Sequence, residues 1–593
     1  MTRSLGVAGI IGIAFELLST AAGAATFVVN TTLDSQDVVL GDGICADLVS
    51  ACSLRAAISE ANALASPDVI TLPAGIFTNT TQAAANEDSN LGGDLDINSD
   101  ITINGAGSAT TIVQAATTPG VASERVFHLR FSGPKVLNDL TVRHGRNTGS
   151  ALGAGVLVEA GTVVVTLNRV VIANNEGGAN GGGLAISSAN ASITTLNLCS
   201  VENNTTGSMV SGPSNGAGVL FLGATATLNI NDSNITGNTV SNMGSSSAAG
   251  LYSDGILNIT NTVVSNNTAT SSGSTTFAGG INIIGGTATI LGSTIGGNVS
   301  TVTGGGGSGF AGGISSQDAT LILANSVVSG NTASRFHAGI RTIALNAPTT
   351  TTITNSTISN NTAAFEGGGV INFSGGLEAA TTNITGSTVR GNSANGPTNI
   401  GGGLENFHSS TGAAVINVTN STVSGNIAAR GAGSHNSGIA ASINFNFSTI
   451  AGNTATVGGG GIFQTAGGTT SLKNSVVADN AAPAGPDISG VVTSLGYNLV
   501  ENVTGGTFAV LAGDVTGTDP QLGPLANNGG STMTHRPSPS SLAIDAIPTG
   551  TSDCGVAVTT SQNGLPRPQQ AGCDKGSVEV NPELIFRDGF DGF

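Results

Sequence analysis

Short bursts of alternation pattern the chain. In Ala226-Thr227-Leu228-Asn229-Ile230 and Ala414-Val415-Ile416-Asn417-Val418, apolar and polar residues alternate with period two, the mark of a half-buried strand. A second short stretch follows, such as Ser356-Thr357-Ile358 or Ser421-Thr422-Val423. It leads into a motif of the type Val264-Ser265-Asn266-Asn267-Thr268 or Val328-Ser329-Gly330-Asn331-Thr332. After a variable loop, a glycine-rich turn opens a third apolar stretch, as in Gly182-Gly183-Leu184-Ala185-Ile186 and Gly368-Gly369-Val370-Ile371. The last Asn of the motif recurs from Asn175 to Asn480 at intervals of about 30 residues.

A period in this range means a solenoid or a propeller. A propeller blade needs four strands and about 40–50 residues. Three short strands in about 30 residues predict one coil of an all-β, right-handed parallel β-helix, repeated about eleven times or more. Successive coils would lie about 4.8 Å apart. Inward Val, Ile and Leu then stack into a dry core, the recurring Asn forms a ladder, and glycine turns the tight corners.

The ends depart from the repeat. Ser53–Ala65 predicts a helix with Leu54, Ala57, Ile58, Ala61 and Leu64 on one face and Ser53 as its N-cap. Thr26–Val29 and Val69–Leu72 predict strands beside it. Beyond Gly485 the repeat fades and proline rises. Arg3, the apolar run Leu5–Leu18 and Ala22-Gly23-Ala24 predict a secretory signal cut after Ala24. That run is shorter than the roughly 20 residues of a membrane span, and no transmembrane span is expected in the mature chain. The expected organisation is a signal (1–24), a helix-containing cap (25–90), the β-helix (91–485), a C-terminal β/loop module (486–580) and a tail (581–593).

Composition narrows the function. The net charge is −18 and charged residues are 9% of the chain, against about 25% in ordinary soluble proteins. Stacked like charges repel, which suits a solenoid. So acidic a chain has no electrostatic footprint for nucleic acid. Cys45 and Cys52 lie seven apart, and Cys554 and Cys573 nineteen apart. Each pair can close a local disulfide loop in an oxidising compartment. Cys199, among Leu196, Leu198 and Val201, reads as a buried small hydrophobe.

Both ends resemble known families. Cys52-Ser53-Leu54-Arg55-Ala56-Ala57, with Gly93-Asp94-Leu95-Asp96-Ile97 and Ile101-Thr102-Ile103-Asn104-Gly105-Ala106-Gly107, is similar to the signature of CSLREA-domain proteins, which are secreted bacterial β-helix proteins. That family has Glu where this chain has Ala56, so no capping box forms and Ser53 holds the helix start alone. At the other end, Asp519-Pro520-Gln521-Leu522-Gly523-Pro524-Leu525, Ala543-Ile544-Asp545-Ala546 and Cys573-Asp574-Lys575-Gly576 resemble the choice-of-anchor Q domain. Ile585-Phe586-Arg587-Asp588-Gly589-Phe590 is similar to a tail on secreted proteins of Gram-negative bacteria. The resemblance implies a secreted or outer-surface β-helix protein of such a bacterium, and supplies no catalytic residues.

Parallel β-helices often act on polysaccharides. Two carboxylates at matching positions of neighbouring coils would mark a glycosidase or a Ca²⁺-dependent lyase, and none align here. The nearest cluster combines Arg335 and His337 with Glu366 of the next coil; Glu405, His408, Arg430 and His435 lie further along. Asp94, Asp96 and Asp100, near Glu87 and Asp88, form the densest acidic stretch and are candidates for a structural Ca²⁺. No other cofactor is implied. Without Trp and with two Tyr, sugar platforms are scarce, and the 19 Phe are expected in the core or as stacked rungs. These features favour a non-catalytic adhesion or structural role, with surface glycans or proteins of a host or neighbouring cell as partners. The alternative is a carbohydrate-active enzyme or binder that uses the loop edge.

Overall fold

The computed structural model describes residues 24–581, except 65, 66, 82–86, 149, 150, 160, 162, 189, 208–213, 305, 306, 398 and 466. The expected signal segment, save its last residue, and the tail beyond 581 lie outside the described residues.

The chain is a parallel β-solenoid. One coil shows the plan: Leu184–Ser187, Ile193–Asn197, Ser200–Glu202 and Thr205–Thr206, after which the next coil begins with Val219–Leu222. Each strand pairs in parallel with its equivalent one coil on, as Leu196 does with Ile230 and Val201 with Ile235. The column holding Ser200–Glu202 contains 16 strands, from Gly75–Thr78 to Val515–Thr516. The fourth strand of the coil was not expected. It follows the ladder Asn and runs only two to five residues, two in Thr205–Thr206 and five in Thr454–Gly458.

Parallel pairing also runs past residue 485. Ile488–Ser494 pairs with both Ile462–Gln464 and Thr469–Lys473, joining two columns into one sheet. Leu499–Val500 and Val515–Thr516 extend a third column. These last coils lack the Asn motif, which is why the repeat fades in sequence before the solenoid ends.

Two internal ladders fix the corners. From Asn204 onwards each Asn of the motif accepts, on its Oδ1, both the backbone N–H and the side-chain amide of the Asn one coil earlier; for Asn298 on Asn331 both distances are 3.0 Å. Its own amide donates backwards to a strand carbonyl, Asn331 to Ile295 O at 3.0 Å. The residue before it sits in the left-handed region: Asn266 (φ 56°), Gly297 (65°), Gly330 (66°), Asn360 (55°). Only Gly and, less readily, Asn adopt this conformation without large cost, which explains the recurring Asn-Asn and Gly-Asn pairs. At another corner a hydroxyl column does the same work. Ser326 Oγ accepts from Ser293 N at 3.0 Å, and Ser356 Oγ from Ser326 N at 3.1 Å. Cys199 occupies this column: its N–H donates to Ser233 Oγ, and its thiol points to the carbonyls of Leu167 and Asn197 at 3.2 and 3.3 Å.

The helix spans Leu54–Ala63, stopping short of the expected end, and Ser53 Oγ accepts from Ala56 N at 3.0 Å. Ala57, Ile58 and Ala61 are fully buried against the first coils, closing the exposed strand edges. Arg55, on the helix's other side, is buried against Asp34 at 2.6 Å and donates to the carbonyls of Gly93 and Asp94. The flanking strands run Thr26–Val28 and Asp68–Thr71. Cys45–Cys52 and Cys554–Cys573 are disulfide-bonded, and Cys199 is free and buried.

The C-terminal segment folds back along the flank of the last coils. Gln562 donates to Ser387 O and accepts from Thr422 Oγ1; Ser577 N donates to Thr449 Oγ1. Its fixed point is Arg567, fully buried, paired with Glu579 at 2.7 Å and lying over the Phe447 ring at 4.2 Å.

Candidate functional site

The glycine-rich turns launch one strand per coil whose middle residue points outwards yet is covered by the loop beside it. In consecutive coils this outward column reads Arg341, Ile371, Glu405, His435, Phe463. Thus Glu405 and His435, named from sequence, share a column with Arg341, which sequence reasoning missed. The signal for Arg341 was present: it stands one residue after the Ile that follows the Gly turn, as Glu405 stands one after Leu404.

These groups are sealed. His337 is 4% exposed, Glu405 1% and His435 3%. Glu405 Oε2 packs beneath the turns, where a Cβ on Gly367 or Gly401 would approach it to 3.0 or 3.2 Å. Burial pushes the Glu405 carboxyl well above its ordinary range, with the nearby charge of Glu366 adding to the effect. Burial holds the His435 imidazole down to about 4. It also holds His337 well below its ordinary value, and the Arg341 charge contributes. Burial thus disfavours the charged form of all three. Both His337 nitrogens, Glu405 Oε2 and His435 Nδ1 lack hydrogen-bond partners among the described residues.

The Arg335–His337–Glu366 group meets at the backbone: His337 N donates to Glu366 O at 2.8 Å and Phe365 N to Arg335 O at 2.7 Å. The side chains part. The His337 ring stacks on Phe310 at 5.6 Å, beneath the loop, while Arg335 and Glu366 are half-buried. His408 ties its own loop to the next coil, with Nδ1 facing Ser410 O at 2.9 Å and Nε2 accepting from Ala440 N at 2.8 Å. Arg430 closes a short strand, Ile427–Arg430, and is half-buried.

What the loop edge does present is aromatic. Phe277, Phe310, Phe336 and Phe365, one per coil, stack at 6.3, 5.6 and 5.8 Å between ring centroids. Phe365 is 46% exposed and the other three are partly exposed. Arg341 lies over the Phe310 ring at 4.4 Å, so the ladder covers Arg341 and the His337 ring.

The proposed calcium residues diverge. Asp94 pairs with Arg125 at 2.9 Å, and burial raises its carboxyl to about 6 despite that partner. Asp100 lies under the Gly133 backbone, where any Cβ would collide with it. Asp96, outward on the strand Leu95–Ile97, is covered by the cap loop and faces His128 at 3.3 Å. A separate acidic basin of about 430 Å³ lies where the Asn ladder ends, lined by Asp479, Asp487, Glu501 and Asp519 among others. Carboxylate oxygens of Asp479, Glu501 and Asp519 come within 4.8 Å of one another.

No family model matches the chain, and no curated protein does. Among solved structures it is similar to a mannuronan C-5 epimerase A-module of Azotobacter vinelandii: 12% identity over 84% of this chain and 100% of that one, TM-score 0.29. It is similar to the catalytic unit of an α-1,3-glucanase from Streptomyces thermodiastaticus: 14% identity over 84% of this chain and 70% of that one, TM-score 0.31. It is also similar to a pectate lyase, at 12% identity over 94% of this chain and 98% of that one, TM-score 0.24.

Proposed function

We propose that this chain is an exported β-helix surface protein that binds partners along its loop edge without turning them over. One observation carries the reading. His337, Glu405 and His435 are buried, whereas the four-rung Phe ladder of the same and preceding coils reaches solvent, most fully at Phe365. A general acid or base must come within hydrogen-bond reach of its substrate, and Glu405 and His435 are covered. An aromatic strip of this kind offers apolar ring edges at a spacing set by the coils. The partner we infer is a neutral glycan, since a chain of net charge −18 repels acidic polysaccharides. Two disulfides fit export to an oxidising compartment. The resemblances to CSLREA and choice-of-anchor Q domains point the same way, towards the outer surface of a Gram-negative cell.

A panel of neutral and acidic oligosaccharides, tested by calorimetry and by release of reducing or unsaturated ends, checks this. The expected result is binding of a neutral member, weakened at least tenfold by the double change Phe336→Ala and Phe365→Ala, with no product formed. Robust turnover abolished by Glu405→Gln would establish the carbohydrate-active alternative instead.

A further inference from the structure

The outward column that carries Arg341, Glu405 and His435 begins, in the first coils, with Asp96 and His128, which are register partners. Three atoms converge there. His128 Nδ1 lies 3.3 Å from Asp96 Oδ1 and 3.7 Å from Asp88 Oδ1, and one ligand atom from each residue lies within 4.8 Å of the others. His128 is 2% exposed and Asp96 fully buried. Neither His128 Nδ1 nor Asp96 Oδ1 has a hydrogen-bond partner among the described residues. The remaining atoms of these groups are engaged elsewhere. Asp96 Oδ2 accepts from Asn90 N at 3.1 Å, Asp88 Oδ2 meets Arg130 at 3.1 Å, and His128 Nε2 meets Glu159 Oε2 at 2.9 Å.

The Glu159 contact settles the ring's chemistry. A carboxylate only accepts, so Nε2–H donates to it, and a neutral ring then has a lone pair on Nδ1. That lone pair and the buried Asp96 oxygen face each other at 3.3 Å, an arrangement that costs free energy unless a cation lies between them. We propose that Asp88, Asp96 and His128 bind a divalent metal ion, with zinc the best match. One imidazole nitrogen, two carboxylate oxygens and a water make a tetrahedral zinc site. A carboxylate on the far ring nitrogen is the usual means of orienting a metal-binding histidine. The charges balance: Asp88, Asp96 and Glu159 carry three negative charges and Arg130 one positive, so a dication brings the cluster to neutrality. Calcium, which takes six to eight oxygens, suits the site less. The ion would staple the cap loop (Asp88) to two successive coils (Asp96, His128).

The test uses the full chain, stripped with chelator and desalted. Zn²⁺ alone, and Ca²⁺ alone in a parallel arm, are then measured by equilibrium dialysis with elemental analysis. One Zn²⁺ per chain is expected, with a raised melting temperature, and weaker binding of Ca²⁺. His128→Gln and Asp96→Asn should abolish Zn²⁺ binding. Glu159→Gln removes no ligand and should weaken binding by about 10–100-fold, with an unchanged circular dichroism spectrum. This variant carries the test if the ligand variants fail to fold. Absence of Zn²⁺ binding by the folded wild type would overturn the proposal, as would full binding by folded His128→Gln or by Glu159→Gln, or a preference for Ca²⁺.

Discussion

At each ladder corner two adjacent residues do different jobs: the first supplies a left-handed turn, the second a buried amide that both accepts and donates. The second job tolerates little. Asn331→Ala would strand the backbone N–H and amide of Asn298 and the carbonyl of Ile295. At roughly 1–3 kcal/mol for each unsatisfied buried group, urea unfolding should show a loss of about 3–9 kcal/mol. Asn331→Asp should be comparably harmful, because a carboxylate cannot donate to Ile295 or to Asn361. Cys199 makes the opposite case. It stands where the column changes from Val170 one coil earlier to hydroxyls from Ser233 onwards, and burial raises its thiol to about 11, so it is unreactive. Cys199→Ser places the column's own residue there. It should leave the melting temperature unchanged or raise it, and scanning calorimetry reads the difference.

At the scale of elements, the ends of the ladders matter most. Asp487 terminates the Asn ladder, accepting from the Asn480 amide at 2.9 Å and from Asn502 N at 2.8 Å. It needs no donor, because no further rung follows. Burial nevertheless raises this carboxyl from 3.8 to about 7, against the lowering effect of those hydrogen bonds. The folded chain therefore holds the proton more tightly than the unfolded one. The resulting stabilisation is complete below about pH 4 and is lost as the pH rises through about 7. At about 1.4 kcal/mol for each tenfold change in proton affinity, the effect is of the order of a few kcal/mol. Asp487→Asn should flatten stability between pH 4 and 8, as chemical unfolding at several pH values would show. In the C-terminal segment, Arg567→Ala leaves Glu579 buried without its cation, and loses the guanidinium over Phe447. A loss of about 3–5 kcal/mol is expected, and limited proteolysis should detach the segment beyond residue 519 first.

For the whole molecule, the parallel coils, stacked core, Asn ladder, helix start at Ser53 and both disulfide pairings were legible in the chain, because each depends on residues close in sequence or repeated at a fixed interval. The candidate site was legible only in part. Glu405 and His435 could be named as chemistry-bearing residues, but not their burial, nor their alignment with Arg341. The acidic stretch Asp94–Asp96–Asp100 looked like a single cation site. The fold sends Asp94 to Arg125 and Asp100 under Gly133, and turns Asp96 towards His128. Spacing along a strand gives a residue's face but not what the neighbouring coil places against it. The short fourth strands and the late coils after residue 485 were likewise missed, since two to five residues give little periodicity and the late coils lack the Asn motif.

The amino-acid sequence alone determined the solenoid, because a repeat of about 30 residues forces equivalent positions into register and each coil needs only its neighbours to be specified. The tertiary structure decided which polar groups meet, which are sealed, and where the C-terminal segment lies. Those outcomes depend on loops of unequal length folding over an outward column, and on contacts between residues more than a hundred positions apart, such as Thr422 with Gln562. No local pattern encodes such contacts, because their free energy arises only once the coils have stacked.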